Sequence, residues 1–396
     1  MESYSFLLFL AIIMISTKIL GLFSRKIHMP AVVGALAAGV ILGPSGLGMI
    51  TLDGDTGVFL EEMAEIGVIL LMFNAGLETD LSELKKNGVA SMITALIGVV
   101  VPLIGGFFGY ALYFKTDFSD HVELLKAIFV GVVLTATSVS ITVETLREMG
   151  KLKGKVGTTI LGAAIIDDII GIIVLTVVTS MQDASVSPAS VLIKIVLYFI
   201  VIAVATFILM RIRKYVEMQD EKRRVVILSV AFCFGLAYAS EEFFGIADIT
   251  GAYFAGLMLC TLKIGPYVAR RCEIPSYLIF SPVFFASVGL KVTLGGMNAS
   301  IWIFSIVLLI IAIVSKVVGC GLGAKICGCS GRESLQIGIG MVSRGEVALI
   351  VAQKGYASGM LDNVLFAPIV LVVIVTTLLT PILLKIVMKD KAPKVA

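Results

Sequence analysis

Charge is scarce in this chain. Only 15% of its 396 residues are Asp, Glu, Lys or Arg, against 58% that are hydrophobic, and the mean hydropathy is +1.05. A soluble domain of this length could not cover so much apolar surface, so lipid must be part of its solvent. Long polar segments are missing too. The largest, RIRKYVEMQDEKRR (211–224), is a short loop, so regulation by a nucleotide-binding domain is expected to need another polypeptide. Histidine is nearly absent, with only His28 and His121, which leaves little basis for a histidine-based pH sensor. No basic stretch is interleaved with aromatics, which argues against nucleic-acid binding. The six cysteines lack the paired spacing of a zinc site, and even Cys327-Gly-Cys329 reads as structural thiols. The first apolar run, SFLLFLAIIMISTKILGL (5–22), has no basic region before it and no small-residue cleavage site after it. It reads as a retained membrane span, not a signal peptide.

What is present is a succession of apolar runs near the ~20 residues that a spanning helix needs. Thirteen candidates lie near 5–22, 30–50, 58–78, 90–113, 124–146, 155–181, 189–212, 224–240, 246–263, 275–292, 299–327, 334–353 and 363–388. The third, eighth and ninth are interrupted or flanked by Glu61, Glu62, Glu65, Glu241, Glu242 and Asp248. With an odd count the loops fall into two alternating sets. One holds Arg25, Lys26, Lys85, Lys86, Arg147, Lys151, Arg211, Lys214, Arg270, Lys389 and most of the other basic residues. The second holds only Lys115, Lys126, Lys194, Lys291 and Lys354. The positive-inside rule then puts the N-terminus outside and the C-terminus in the cytoplasm, in a multi-pass cell-membrane protein. Lys18 lies near a span end and can snorkel to the interface. Lys316 and Arg344 lie deeper and need another explanation.

The stretch GAAIIDDIIGIIVL (162–175) sets two aspartates side by side in the middle of span 6. A charge at the bilayer centre costs at least ~2.5 kcal/mol, and intramembrane ionisable groups mark function by default. Neighbours on a helix point about 100° apart, so one of Asp167 and Asp168 can meet a cation while the other faces a water-filled cavity. Span 11 supplies a cation, Lys316, about halfway along IVLLIIAIVSKVVGCGLGAKI (306–326). The pairing proposed is Lys316 with Asp167, which leaves Asp168 for another ligand; the bland alternative is a lysine that snorkels.

Two spans are interrupted near their centres. Span 5 carries Thr135, Thr137, Ser138, Ser140 and Thr142, hydroxyls that can bond the backbone locally and compete with the helix. Span 12 carries Ser343, Arg344, Gly345 and Glu346 in IGIGMVSRGEVALIVA (337–352). Interrupted helices at corresponding places in two halves point to a transporter binding site. The alternative is a local Arg344–Glu346 pair with small residues serving close packing. A carboxylate among hydroxyl and carbonyl oxygens suits a small hard cation, and the same carboxylate takes a proton when the pH falls. Asp168, helped by Thr137 and Ser138, is therefore the candidate exchange site. Two carboxylates and a lysine allow two protons to move against one cation, which would make transport electrogenic.

The sequence resembles the monovalent cation:proton antiporter-2 family. The resemblance rests on MPAVVGALAAGVILGPSGLG (29–48), EIGVILLMFNAGLETDLSELKK (65–86), LTATSVSITVETLREMG (134–150), SPVFFASVGLKV (281–292) and GMVSRGEVALIVA (340–352). Within it, IIDDIIG (165–171) is similar to electrogenic sodium/proton antiporters of the NapA type. That resemblance implies an all-α polytopic membrane protein of about 13 transmembrane helices, an inverted repeat with two crossing interrupted helices. It implies dimer-domain helices in 1–88 and 223–297, core-domain helices in 89–182 and 298–396, and a linker helix in 183–222. It further implies a homodimer with no cofactor and no enzymatic activity, in which Asp168 binds Na+ (or Li+) and H+ in turn, Asp167 pairs with Lys316, and Thr137 and Ser138 line the site. Its partners would be membrane lipid, monovalent cations and protons, and its role pH homeostasis. K+/H+ exchange on the same fold stands as the alternative. An intramembrane aspartyl protease would need its carboxylates on separate helices, and a channel would lack saturable, coupled exchange.

Overall fold

The computed structural model describes residues 4–27, 29–52, 54–182, 188–218, 223–291, 299–345, 347–348, 351–352, 355, 360–361 and 363–389. Glu346, His28, Lys222, Lys354, Lys391 and Lys394 lie outside the described residues. Helices make up nearly all of what is described, with no strand among those residues. The first seven are α1 (Ser5–Lys26), α2 (Ala31–Leu42), α3 (Gly54–Glu78), α4 (Leu81–Phe114), α5 (His121–Val133), α6 (Val139–Glu148) and α7 (Lys155–Gln182). Then come α8 (Pro188–Glu217), α9 (Arg223–Phe244), α10 (Asp248–Leu259), α11 (Gly265–Pro275), α12 (Ser281–Leu290), α13 (Ala299–Ile326), α14 (Gly331–Gly340) and α15 (Asn363–Met388). One π-helical turn, Ser276–Phe280, joins α11 to α12.

Eight helical stretches among the described residues are long and apolar enough to cross a membrane: α1, α4, α7, α8, α9, α11 through α12, α13 and α15. The other five expected spans differ for identifiable reasons. α2 and α10 are 12-residue helices. α3 is long, but Glu61, Glu62 and Glu65 punctuate its apolar run. Spans 5 and 12 are broken, the first into α5 and α6 and the second after α14.

Helix ends follow local chemistry. Asp80 opens α4 by accepting from the backbone N–H groups of Ser82 (2.9 Å) and Glu83 (3.3 Å), and it also takes the Ser82 hydroxyl. These bonds, the Ser82 hydroxyl first, hold its carboxyl below the usual range. Ser330 and Glu333 form a reciprocal capping box at the start of α14.

The helices pack as two groups. In one, α4 lies against α13, α7 and α5, and α14 and α15 pack on α13. In the other, α3 lies against α10 and α12, and α2 against α1 and α12, while α9 packs on α10. α8 touches α7 on one side and α9 on the other. Its exposed face, with Leu192, Val196, Ile200, Val204 and Phe207, is suited only to lipid or another apolar surface. The α3–α10 contact is backbone on backbone. A Cβ at Gly76 would strike the Tyr253 carbonyl, and one at Gly256 the Phe73 carbonyl, so small residues set this approach.

Candidate functional site

Span 5 stops being helical at Leu134 and resumes at Val139, and α14 ends at Gly340 with non-helical chain through Gly345. Each break leaves orphan carbonyls at the end of the preceding half-helix and free N–H groups at the start of the next. Buried in a membrane, these must find partners inside the protein. They find them in each other and in two buried cations.

The two breaks cross. The Ser138 N–H donates to the Ser343 carbonyl at 2.7 Å, and the Thr142 hydroxyl donates to the Gly340 carbonyl at 2.8 Å. Gly345 makes the crossing feasible, because a Cβ there would come within 2.6 Å of Ser138 Oγ. Arg344, fully buried, donates to the carbonyls of Leu134 (2.7 Å), Val342 (3.0 Å) and Ala312 (3.2 Å). Its own carbonyl accepts the Thr377 hydroxyl of α15. Arg344 thus caps both interrupted helices at once and complements the negative ends of their dipoles.

Lys316 does the same from α13. Its ammonium, 0% exposed, donates to the carbonyls of Thr135 (2.7 Å) and Gly98 (2.9 Å) and to Asp167 Oδ1 (3.0 Å) and Oδ2 (3.3 Å). A lysine has three donors, and here a break carbonyl, an α4 carbonyl and an α7 carboxylate take them. Asp167 is 2% exposed, with the Thr137 hydroxyl beside it. Asp168 is 5% exposed and follows on α7, turned about 100° away. Thr135, Thr137, Ser138 and Ser343 are all buried around the crossing. The Ser343 hydroxyl has no hydrogen-bond partner among the described residues, although a buried hydroxyl usually has one.

The structure therefore brings together Asp167, Asp168, Thr135, Thr137, Ser138, Lys316, Ser343, Arg344 and Gly345, while Glu346 lies outside the described residues. Nothing in the sequence marks out the carbonyls and small residues that finish the site. Gly98 offers its carbonyl to Lys316 and lies so close to Cys320 Sγ that no Cβ would fit. Thr377 carried a signal only as one hydroxyl in the TTLLT stretch of the last span. Arg344 lies at the break, as the sequence suggests, and among the described residues its hydrogen bonds go to backbone carbonyls, which no sequence pattern displays; the alternative pair with Glu346 lies outside the described residues.

The family profile described as "Sodium/hydrogen exchanger, transmembrane" matches residues 9–390. The Na(+)/H(+)-K(+) antiporter GerN of Bacillus cereus is 39% identical over 395 residues, covering 99% of each chain. The Na(+)/H(+) antiporter of Enterococcus hirae is 37% identical over 385 residues, covering 95% of this chain and 96% of its own. A solved structure of the sodium proton antiporter MjNhaP1 from Methanocaldococcus jannaschii at pH 8 superposes with a TM-score of 0.70. It covers 97% of both chains at 19% identity, a likeness of fold alone. By the length of the profile match and the identity of these relatives, the chain belongs to the sodium/hydrogen exchanger family.

Proposed function

We propose that this protein exchanges cytoplasmic Na+ (or Li+) for external H+ by alternating access, and that Asp168 is the carboxylate the two ions occupy in turn. It is a secondary transporter, not an enzyme. The observation that carries the site assignment is the placement of Asp168. It is buried beside the crossing of two interrupted helices, and its neighbour Asp167 already holds Lys316 at 3.0 Å. The hydroxyls of Thr137, Ser138 and Ser343, buried around the same crossing, are oxygens of the type a hard cation takes, and this reading gives them to the Asp168 site. Asp167 and the carbonyls of Thr135 and Gly98 take the Lys316 donors, and Lys316 and Arg344 cap the carbonyls at the breaks. The NapA-type likeness of IIDDIIG supports the same roles and an electrogenic cycle. Each net charge moved inward is worth about 2.3 kcal/mol per 100 mV.

In this reading, core helices within 89–182 and 298–396 move against dimer-domain helices within 1–88 and 223–297, and the segment 183–222 acts as linker. The separate packing of the two groups and the thin contacts of α8 support that division. The protein works as a homodimer in the cell membrane, N-terminus outside, as the loop charges support. Potassium is the second ion to test, because GerN is named for K+ as well as Na+.

The test is proton flux in everted vesicles with Na+, Li+ and K+ added in turn. Flux with Na+ or Li+ is expected, and a response to K+ alone would remove sodium as substrate. Asp168→Asn should abolish exchange in a folded protein; near-normal exchange in that variant would refute the site.

A further inference from the structure

The turn between α13 and α14 carries a pair of thiols that the ion site does not use, Cys327 and Cys329. Between them Gly328 has a φ of +80°. The Gly328 and Cys329 N–H groups donate back to the carbonyls of Lys325 (3.0 Å) and Ala324 (3.1 Å). These are the two bonds of a Schellman cap, whose left-handed residue favours glycine. The apolar contact that accompanies such caps is present as well: Cys329 is 2% exposed and belongs to the same buried cluster as Ala324. Cys327 is only half-buried, and both thiols are free.

The cap thus fixes the backbone between two sulfur donors. Residues two apart across a turn can bring their thiols to about 4.6 Å, the span of two metal–sulfur bonds of about 2.3 Å laid end to end. The surroundings are cationic. Lys155, at the start of α7, stands beside Cys329 while it donates to Glu333 at 3.0 Å. Lys325 lies in the last turn of α13 and Arg332 in the first turn of α14. Glu333 is committed to Lys155 and to the Ser330 N–H.

This arrangement selects among ligands. Structural zinc takes four donors in a tetrahedron, and no group of three or more His, Cys, Asp or Glu side chains that could hold a metal occurs among the described residues. Sodium, magnesium and other hard ions prefer oxygen. Cu(I) prefers thiolates, and in its two-coordinate form it needs only two. A bis-thiolate Cu(I) centre carries one net negative charge, which the Lys155 ammonium is placed to offset. On the orientation proposed above, the turn faces the cytoplasm, where thiols stay reduced. A metal therefore suits the pair better than a lasting disulfide.

We propose that Cys327 and Cys329 bind one Cu(I) ion between their sulfurs, with Lys155 as the neighbouring counter-charge. The metal replaces the two thiol protons, so each ion bound releases two H+. The site lies roughly 16 Å along α13 from Lys316, at 1.5 Å per residue, and is independent of which ion Asp168 binds.

The test titrates the reduced, purified full-length chain with Cu(I), anaerobically and with ascorbate, against the competing chelator bicinchoninate. One equivalent should be taken up, with two sulfur neighbours in the X-ray absorption spectrum, and excess Zn2+ should not displace it. Cys327→Ser and Cys329→Ser should each abolish that uptake. Cys260→Ser, at another half-buried thiol, should leave it intact. Lys155→Met should weaken binding about tenfold, as the loss of a group that tunes a metal site does, and Lys155→Arg should restore most of it. Glu333→Gln keeps the ammonium and should not weaken binding. Uptake that survives in Cys327→Ser, a half-buried position where serine fits, would overturn the site. So would uptake lost in Cys260→Ser, a third protein donor in the absorption spectrum, or displacement by Zn2+. Unchanged affinity in Lys155→Met, or an equal loss in Glu333→Gln, would overturn the counter-charge role of Lys155.

Discussion

A buried ion pair at the crossing and a set of exposed pairs at one edge obey different physics. At the crossing, Lys316 and Asp167 are essentially sealed from solvent, with side chains 0% and 1% exposed, and every lysine donor is used. At the edge where α1 and α6 end, Arg147 reaches Glu78 and Glu273, and Arg25 faces Glu148, with side chains between 15% and 52% exposed. The buried pair joins helices within one packed group. The edge pairs run from α6, which the function proposed above assigns to the core helices, to α1, α3 and α11, which it assigns to the dimer-domain helices. A buried charge left alone is severely penalised, whereas an exposed pair contributes little. On the function proposed above, permanence is built where the ion would bind, and reversibility where the two groups would part.

The comparison breaks most directly at Lys316. Lys316→Gln strands Asp167 and frees the Thr135 and Gly98 carbonyls, and should lower stability by about 3–5 kcal/mol. Thermal unfolding of the purified protein measures this. Adding Asp167→Asn to it should restore part of the loss, because the stranded charge disappears. No loss in the single variant would mean the pair is not what holds the crossing.

Arg344 is the next largest. Arg344→Met leaves the carbonyls of Leu134, Val342 and Ala312 without their donor. A buried group stripped of its partner costs roughly 1–3 kcal/mol, so a clear drop in unfolding temperature is expected. If the drop matched that of an exposed substitution, water would have to be replacing the guanidinium.

Much of this was legible in the sequence. The class was, because apolar runs with few charges leave an all-helical membrane protein as the economical solution. Asp167, Asp168, Lys316 and Arg344 stood out because a charge amid apolar residues violates the pattern around it. The breaks stood out through clustered hydroxyls and glycine. What stayed hidden was the set of backbone partners. Lys316 and Arg344 both bind backbone carbonyls, and every residue carries one, so composition and spacing hold no record of which is chosen.

At the edge, Arg147→Gln removes the contacts to Glu78 and Glu273, yet each such pair is worth only ~0–1 kcal/mol. Stability should barely move, while the rate of ion-driven proton flux should change because contacts between the groups are lost. A fall in unfolding temperature as large as that of Lys316→Gln would erase the distinction between the two sets.

The smallest effect sharpens the comparison from within one group. Glu333 accepts the Ser330 N–H at 2.7 Å and the Lys155 ammonium at 3.0 Å, so it ties the start of α14 to the start of α7, the two helices that lead to the crossing. Its carboxyl is held below its usual range, chiefly by the Ser330 N–H, against the opposing effect of burial and with further help from Lys155. A carboxylate depressed in the folded state contributes stability that is complete above the unfolded value, ~4.3. That stability is lost as the pH falls through the lower folded value. Glu333→Gln keeps an acceptor for the Ser330 N–H but cannot titrate. It should therefore cost well under about 1 kcal/mol at neutral pH and flatten the acid limb of the stability curve. Unfolding temperatures compared between pH 7 and pH 3.5 read this directly. An unchanged acid limb would show that the Glu333 carboxyl titrates alike in the folded and unfolded chains, and that Lys155 holds α7 to α14 no more firmly than any exposed pair would.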